Sequence, residues 1–297
     1  MNFLHNINLN LDIINNIDNT KHNLFDLIIG GGGFRGYYHV GSLYIIKELE
    51  QKNKIKIRQI IGTSSGAIGA VNYACNVNSY NWIKSYEEIK KLMEDGLDLH
   101  TATIMVLREK LPKNAHELCN QHNVKIAVSY ICFQKSLWPI KINEVLLDNF
   151  SSFNNLIDSL SASINIPYYT SNNLKGVIIN NIRYYDAFFC RHTPIIINND
   201  LPQLIIKTIN VLYPRFVTLN AKDSYINLLA LRGYLETYNF IKYTTNNNVI
   251  EWIEPCNLLK IKDKENKENK ENKENKEHNY LVFIIPLLFF IKAKYFQ

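Results

Sequence analysis

The chain has 297 residues, 46% of them apolar and 20% charged, with a formal net charge of +6 at neutral pH. That composition is globular and excludes a wholly disordered, collagen-like or disulfide-scaffold protein. The positive charge is modest and dispersed, with no Lys/Arg block interleaved with aromatics, which argues against nucleic acid as a partner. Five cysteines (Cys75, Cys119, Cys132, Cys190 and Cys256) show no CxxC or Cys/His spacing, so no metal is expected and a reduced, cytoplasmic compartment suits them best.

Residues 1–23 are Asn-rich, with no Lys or Arg before Lys21, and lack the cationic start and compact apolar core of a secretory signal. Leu24–Ile29 (LFDLII) reads as a buried strand, followed by GGGGFRG and then a helix over Tyr37–Gln51 with apolar residues at Val40, Leu43, Ile46 and Leu49. Ile55–Ile61 reads as a second strand, and the turn Gly62–Gly66 opens a helix from about Ser65 to Cys75. Strand, helix, strand and helix joined by short turns predict an α/β fold with a parallel sheet and crossover helices. Further on, the pattern predicts helices over Tyr80–Leu97 and Asn114–Gln121, a strand at Lys125–Phe133, a ribbon through Leu137–Ile142 and a helix over Asn149–Ala162, stopped by Pro167. Val177–Ile179 and Ile182–Tyr185 form a hairpin whose two-residue turn, Asn180-Asn181, suits positive φ. That hairpin delivers Asp186. A strand at Leu204–Val211 and a long amphipathic helix over Tyr225–Tyr243 follow.

The domain is expected over residues 24–212, with 213–260 as a helical extension of the same body. Residues 261–279 are expected as a charged linker built on KENKENKENKENKE (264–277), a repeat with nothing apolar to bury. Residues 280–297 are an apolar tail whose eleven-residue run, Leu281–Ile291, covers roughly 17 Å as a helix against about 30 Å of hydrocarbon. The tail is expected either to touch a membrane or partner surface or to pack back on the body.

Nine of the twelve glycines lie between Gly30 and Gly69, so function is sought there. Gly62-Thr63-Ser64-Ser65-Gly66 is a G-x-S-x-G sequence between a predicted strand and a predicted helix. Its glycines permit the tight turn that lifts a serine out of a sheet edge toward a helix N-terminus, and the spacing selects Ser64 as nucleophile. About 0.1 such matches are expected by chance in a chain of this length, so the strand-to-helix setting carries much of the weight. The bland alternative is a glycine turn with a capping serine. Gly31-Gly32-Gly33-Phe34-Arg35-Gly36 also satisfies G-x-G-x-x-G, which a dinucleotide site would use together with a carboxylate at the end of the second strand. That strand ends in Ile60-Ile61-Gly62-Thr63, and the nearest acids, Glu48 and Glu50, fall on the preceding helix. A second reading is a nest of backbone N–H groups beside Ser64 that receives the oxygen of a tetrahedral intermediate. The base for Ser64 has several candidates: a triad of Ser64 with Asp148 or Asp158 and His192, or a carboxylate acting directly. His39, His116 and His122 read as core or surface residues. The residues alone leave these options open.

Four blocks in order resemble the patatin-like phospholipase family: GGGFRGYYHVGSLYIIKELE (31–50), GTSSGAIGA (62–70), SASINIP (161–167) and DAFFCRHTP (186–194). The resemblance spans about residues 24–212. It implies a three-layer α/β/α sandwich around a central, mostly parallel sheet and hydrolysis of lipid acyl esters, with a phospholipid or other lipid as substrate and with neither cofactor nor metal. By position it implies Ser64 as nucleophile, Asp186 as its base, the Gly31–Gly36 loop (Gly31, Gly32, Gly33, Phe34, Arg35, Gly36) as oxyanion hole, and Gly62, Thr63, Ser65 and Gly66 as the elbow. Two positions depart from the family pattern. Ala187 stands where a glycine is usual, which would strain the backbone if that position required φ above zero, and His192 stands where an asparagine is common. The alternatives to a dyad hydrolase are a lipid-binding homologue without turnover, a Ser-His-Asp esterase and a dinucleotide-binding protein.

Overall fold

After its first residue, every position of β1 (Leu24–Ile29) is buried. A strand covered on both faces reads as an apolar run, which is how LFDLII reads. The computed structural model describes residues 24–132, 141–190, 194, 203–207, 223–243 and 249–252. The linker and tail expected over 261–297, the segment 1–23 and His192 lie outside them. The other described strands are β2 (Lys56–Thr63), β3 (Val124–Cys132), β4 (Lys141–Leu147), β5 (Val177–Ile179), β6 (Ile182–Asp186), β7 (Gln203–Ile206) and β8 (Val249–Trp252). The described helices are α1 (Gly36–Gln51), α2 (Ser65–Ala74), α3 (Ser79–Glu94), α4 (Leu99–Lys110), α5 (Ala115–Gln121), α6 (Phe153–Ser163) and α7 (Asp223–Tyr243).

The strands form one mixed sheet in which β1 pairs in parallel with β2 and β7, β2 with β3, and β7 with β8. With helices packed on it, the sheet makes a three-layer α/β/α sandwich. The antiparallel part gathers on β3. Strand β4 pairs with Ile126–Cys132, so it occupies one whole edge there. Strand β2 pairs with residues 124–127 and β6 with 128–130, both overlapping the length that β4 takes, so both lie on the other edge. One runs along β3 and the other against it. They meet end to end: Thr63 is opposite Ala127, and Asp186 is opposite Val128.

The structure corrects the sequence reading at several boundaries. The helix expected through Leu97 stops at Glu94, where Gly96 turns the chain with φ 97°, and a separate helix, α4, follows. That helix was not expected; Asp98 starts it by accepting the Thr101 N–H at 2.8 Å, a capping signal just past the end of the expected one. Helix α6 begins at Phe153 rather than Asn149, because Asn149 is left-handed (φ 52°) and the Ser152 hydroxyl caps the Asn155 N–H at 3.1 Å. Of the ribbon expected over Leu137–Ile142, residues 141 and 142 open β4, which runs on to Leu147, and the rest lies outside the described residues. Strand β8 was not expected. The hairpin turn is as read, with φ of 49° at Asn180 and 64° at Asn181. No helix among the described residues is long and apolar enough to cross a membrane.

The one charged residue inside β1, Asp26, is fully buried and accepts hydrogen bonds from Arg58 Nε and Gln59 Nε2, each at 2.8 Å. Together these bonds tie β2 to β1 at the end of the sheet opposite the glycine turns. Replacing Asp26 with Ala leaves a buried amide unpaired. The expected loss is about 1.5–3 kcal/mol, read as a lower urea midpoint; an unchanged midpoint would contradict it.

Candidate active site

Ser64 follows the last residue of β2 and precedes α2, with φ 55° and ψ −125°. A non-glycine residue held there costs about 1–3 kcal/mol and persists only where the surroundings enforce it. Two glycines allow the turn. A Cβ on Gly66 would stand 2.2 Å from the Ile29 carbonyl oxygen, and one on Gly62 would stand 2.3 Å from that of Gly66. Without them α2 could not begin directly against the end of β1.

The same contact brings the first glycine loop to the serine. Gly30 continues β1 by donating its N–H to Ile206 O at 2.9 Å. The chain then turns at Gly33 (φ 55°) into a 3-10 turn over Gly33–Arg35, which leads into α1. A Cβ on Gly31 would lie 3.1 Å from Ser64 Cβ, so loop and serine are in van der Waals contact. The N–H groups of Gly32, Gly33 and Phe34 come before the first helical hydrogen bond, which Arg35 donates to Gly32 O at 3.0 Å. Amides ahead of a helical turn suit developing negative charge. Arg35 and Gly36 start α1, with Gly36 packed against the Tyr86 hydroxyl.

Asp186, at the end of β6, is fully buried. Its N–H donates to Asn165 O at 3.0 Å, its carbonyl accepts from the Ser129 hydroxyl at 2.7 Å, and Oδ1 accepts the Phe188 N–H at 2.8 Å. Burial pushes its pKa up from the ordinary 3.8 to about 7, against the pull of the Phe188 amide and the Ser64 hydroxyl. The Ser64 side chain is therefore near enough to act on this carboxyl, yet Oδ2 has no partner at full hydrogen-bond geometry. Catalytic contacts of this kind tighten when substrate binds. Ala187 opens a 3-10 turn and does not have positive φ, so the alanine creates no strain there.

A cavity of about 50 Å³ opens beside Ser64. Phe34, Ile68, Tyr86, Ile89, Leu99 and Ile164 give it an apolar lining, with His100 and Thr170 among its polar residues. Of the aromatics near the motifs, Phe34 lines it, Tyr37 and Tyr38 are core, and Tyr168 is exposed. His100 lies on α4, a helix that was not expected from the sequence. Its Nε2 lies 2.9 Å from the Ser161 hydroxyl and 3.1 Å from Ser161 O, and burial lowers its pKa.

The patatin-like phospholipase family profile matches residues 27–197, more than half of the chain. The chain belongs to the patatin-like phospholipase family. It is 26% identical over 181 residues to patatin-like phospholipase domain-containing protein 5 of Homo sapiens, covering 55% of this chain and 40% of that protein. It is 23% identical over 190 residues to 1-acylglycerol-3-phosphate O-acyltransferase Pnpla3 of Mus musculus, covering 58% of this chain and 41% of that one. The chain thus spans about two fifths of the length of these relatives.

Within this patatin-like domain the other candidate carboxylates among the described residues are engaged elsewhere. Asp158 is half-exposed and pairs with Arg108 at 3.9 Å, and exposed Asp148 accepts from the Asn149 side chain at 3.0 Å. His39 is fully buried against the backbones of Gly30 and Ser65, and burial lowers its pKa to about 3, so it is neutral. Glu50, the acid nearest the end of β2 in sequence, accepts from the Tyr73 hydroxyl at 2.8 Å and pairs with Lys47 at 3.5 Å.

Between the unfolded value of 3.8 and the folded value of about 7, folded Asp186 holds a proton that the unfolded chain releases. Its contribution to stability is complete below 3.8 and is lost as the pH rises through 7. Asp186→Asn should therefore gain over the wild type on going from pH 5 to pH 8. The expected rise in relative Tm is at least about 2–4 °C, the equivalent of about 1 kcal/mol; a pH-independent difference would contradict the buried, protonated carboxyl.

Proposed function

We propose that this protein is a lipid acyl hydrolase that cleaves fatty-acyl esters through an acyl-enzyme, with Ser64 as nucleophile and Asp186 as its base. The observation that carries this reading is the meeting of β2 and β6 on one edge of β3, which sets a strained serine beside a buried carboxyl and against a loop of glycine amides. The names of the relatives, phospholipase and acyltransferase, agree with acyl-ester chemistry.

In this mechanism Asp186 takes the Ser64 hydroxyl proton as Oγ attacks the ester carbonyl carbon. The oxyanion forms against the amides of Gly32, Gly33 and Phe34. The carbon–oxygen bond to the leaving group then breaks, and the proton on Asp186 passes to the departing alcohol. Water gives a proton to the same carboxylate as it attacks the acyl-enzyme, and the fatty acid leaves as Ser64 recovers its hydrogen. A pKa near 7 suits both halves, since the group must accept and return a proton at physiological pH. The apolar cavity takes the acyl carbons nearest the ester. The name of the mouse relative supports a second reading, in which a lysolipid hydroxyl rather than water takes the acyl group from Ser64.

Ser64→Ala should abolish fluorophosphonate labelling, and both Ser64→Ala and Asp186→Asn should lower hydrolysis of a soluble ester at least about 10²-fold, the scale of losing one transition-state donor. Retained turnover in both would remove the dyad. Vesicle binding without label or turnover would mark a lipid-binding homologue, and label that survives in Asp186→Asn but not in His192→Ala would mark a triad. In the wild type log(kcat/KM) should rise with unit slope up to about pH 7 and then level, as the buried carboxyl ionises; a limb breaking near pH 4 would exclude Asp186 as the base. Adding lysophosphatidic acid should raise acyl transfer at the expense of free fatty acid only if the second reading holds.

A further inference from the structure

Ser64 is held at its strained angles by a side chain outside both glycine loops. Ser163, the last residue of α6, is fully buried and places its Oγ 2.9 Å from Ser64 N and 2.8 Å from Ala127 O. The directions are unambiguous, because an amide can only donate and a carbonyl can only accept. The hydroxyl gives its hydrogen to Ala127 and takes that of Ser64. It bridges the amide at the exit of β2 to the β3 residue opposite Thr63, in place of the ladder bond that ends when the chain leaves the strand. Two residues on, Asn165 O accepts the Asp186 N–H at 3.0 Å. Asn165 is itself fixed, donating from Nδ2 to Lys175 O and accepting at Oδ1 from the Ser171 hydroxyl, both at 2.9 Å.

We infer that Ser163 is a positioning residue for the acyl-transfer step, and that residues 163–165 set the spacing of the two reacting side chains by holding the backbone of each. Ser163 touches neither substrate nor the reacting oxygens. Its effect is on the angle from which Ser64 Oγ attacks and on the register between Ser64 and Asp186. This inference rests on the hydrolase reading above and adds to it a residue that acts through the nucleophile's own amide.

The test compares Ser163→Ala, Ser163→Cys and Ser163→Thr with the wild type, using a soluble short-chain ester and the rate of fluorophosphonate labelling. For Ser163→Ala we expect kcat and the labelling rate to fall about 10- to 100-fold, the scale of a misplaced reacting group, with KM within twofold. Ser163→Thr, which keeps the hydroxyl, should restore most of the loss. Ser163→Cys keeps the volume with a weaker bond and should fall between. Should the alanine variant fail to fold, the cysteine variant decides, and wild-type kcat in it overturns the inference. So does a folded alanine variant with kcat within twofold of wild type, or a threonine variant no better than alanine. Failure of both Ala and Cys variants to fold also overturns it, since Ser163 would then determine the fold rather than the site. A wild type that neither labels nor turns over removes the hydrolase reading together with this inference; a labelled wild type matched by Ser163→Ala removes only the inference.

Discussion

The site depends on one edge of one strand being shared. Strand β4 takes the whole of one side of β3, and the other side is divided between β2, which runs along β3, and β6, which runs against it. Two strands in line on a common edge must stop where they meet, and each stops at a polar residue of the site. Hydrogen-bond register therefore brings together residues 122 positions apart without requiring their side chains to attract each other. A carboxyl and a serine hydroxyl have little reason to associate in an unfolded chain; here the ladder does the placing.

The site is also where local preferences are overridden. Ser64 occupies a backbone region hostile to any residue with a Cβ, and Asp186 sits where a carboxylate is costly to ionise. Neither condition would survive on a flexible loop. Both are tolerated because the surroundings leave no alternative: α2 abuts the end of β1 through Gly66, Ser163 bonds the Ser64 amide, and Ser129 and Asn165 bond the Asp186 backbone. The stability lost at these two residues is offset by a core that includes Leu27, Ile28 and Ile29 of β1 and Ile45 and Ile46 of α1, all fully buried. Strain and burial at a site paid for by packing elsewhere is the usual arrangement in enzymes.

Much of this was legible in the residues. The run LFDLII, the glycine turn after it and the G-x-S-x-G between strand and helix are local signals, because strand burial, tight turns and helix starts are decided by near neighbours. The Asn180-Asn181 turn was readable for the same reason. A whole helix was missed where a local signal was overlooked, as at Asp98, whose side chain caps the start of Leu99–Lys110. Strand β8 failed for another reason: a four-residue strand owes its existence to pairing with β7, and no periodicity within four residues can announce that.

Sequence by itself determined the family, the α/β class and the identity of Ser64, Asp186 and the glycine loop as candidates, since each rests on a short contiguous pattern. Tertiary structure alone decided that Asp186 is buried with its pKa near 7, that Asp148 and Asp158 pair with other side chains, that Ala187 is unstrained, and that Ser163, Asn165 and His100 belong to the site's surroundings. The physical reason is that burial, pKa and hydrogen-bond partnership are properties of neighbours in space. The chain supplies those neighbours from β3, α4, α6 and β6, elements whose sequence separation carries no record of where they meet.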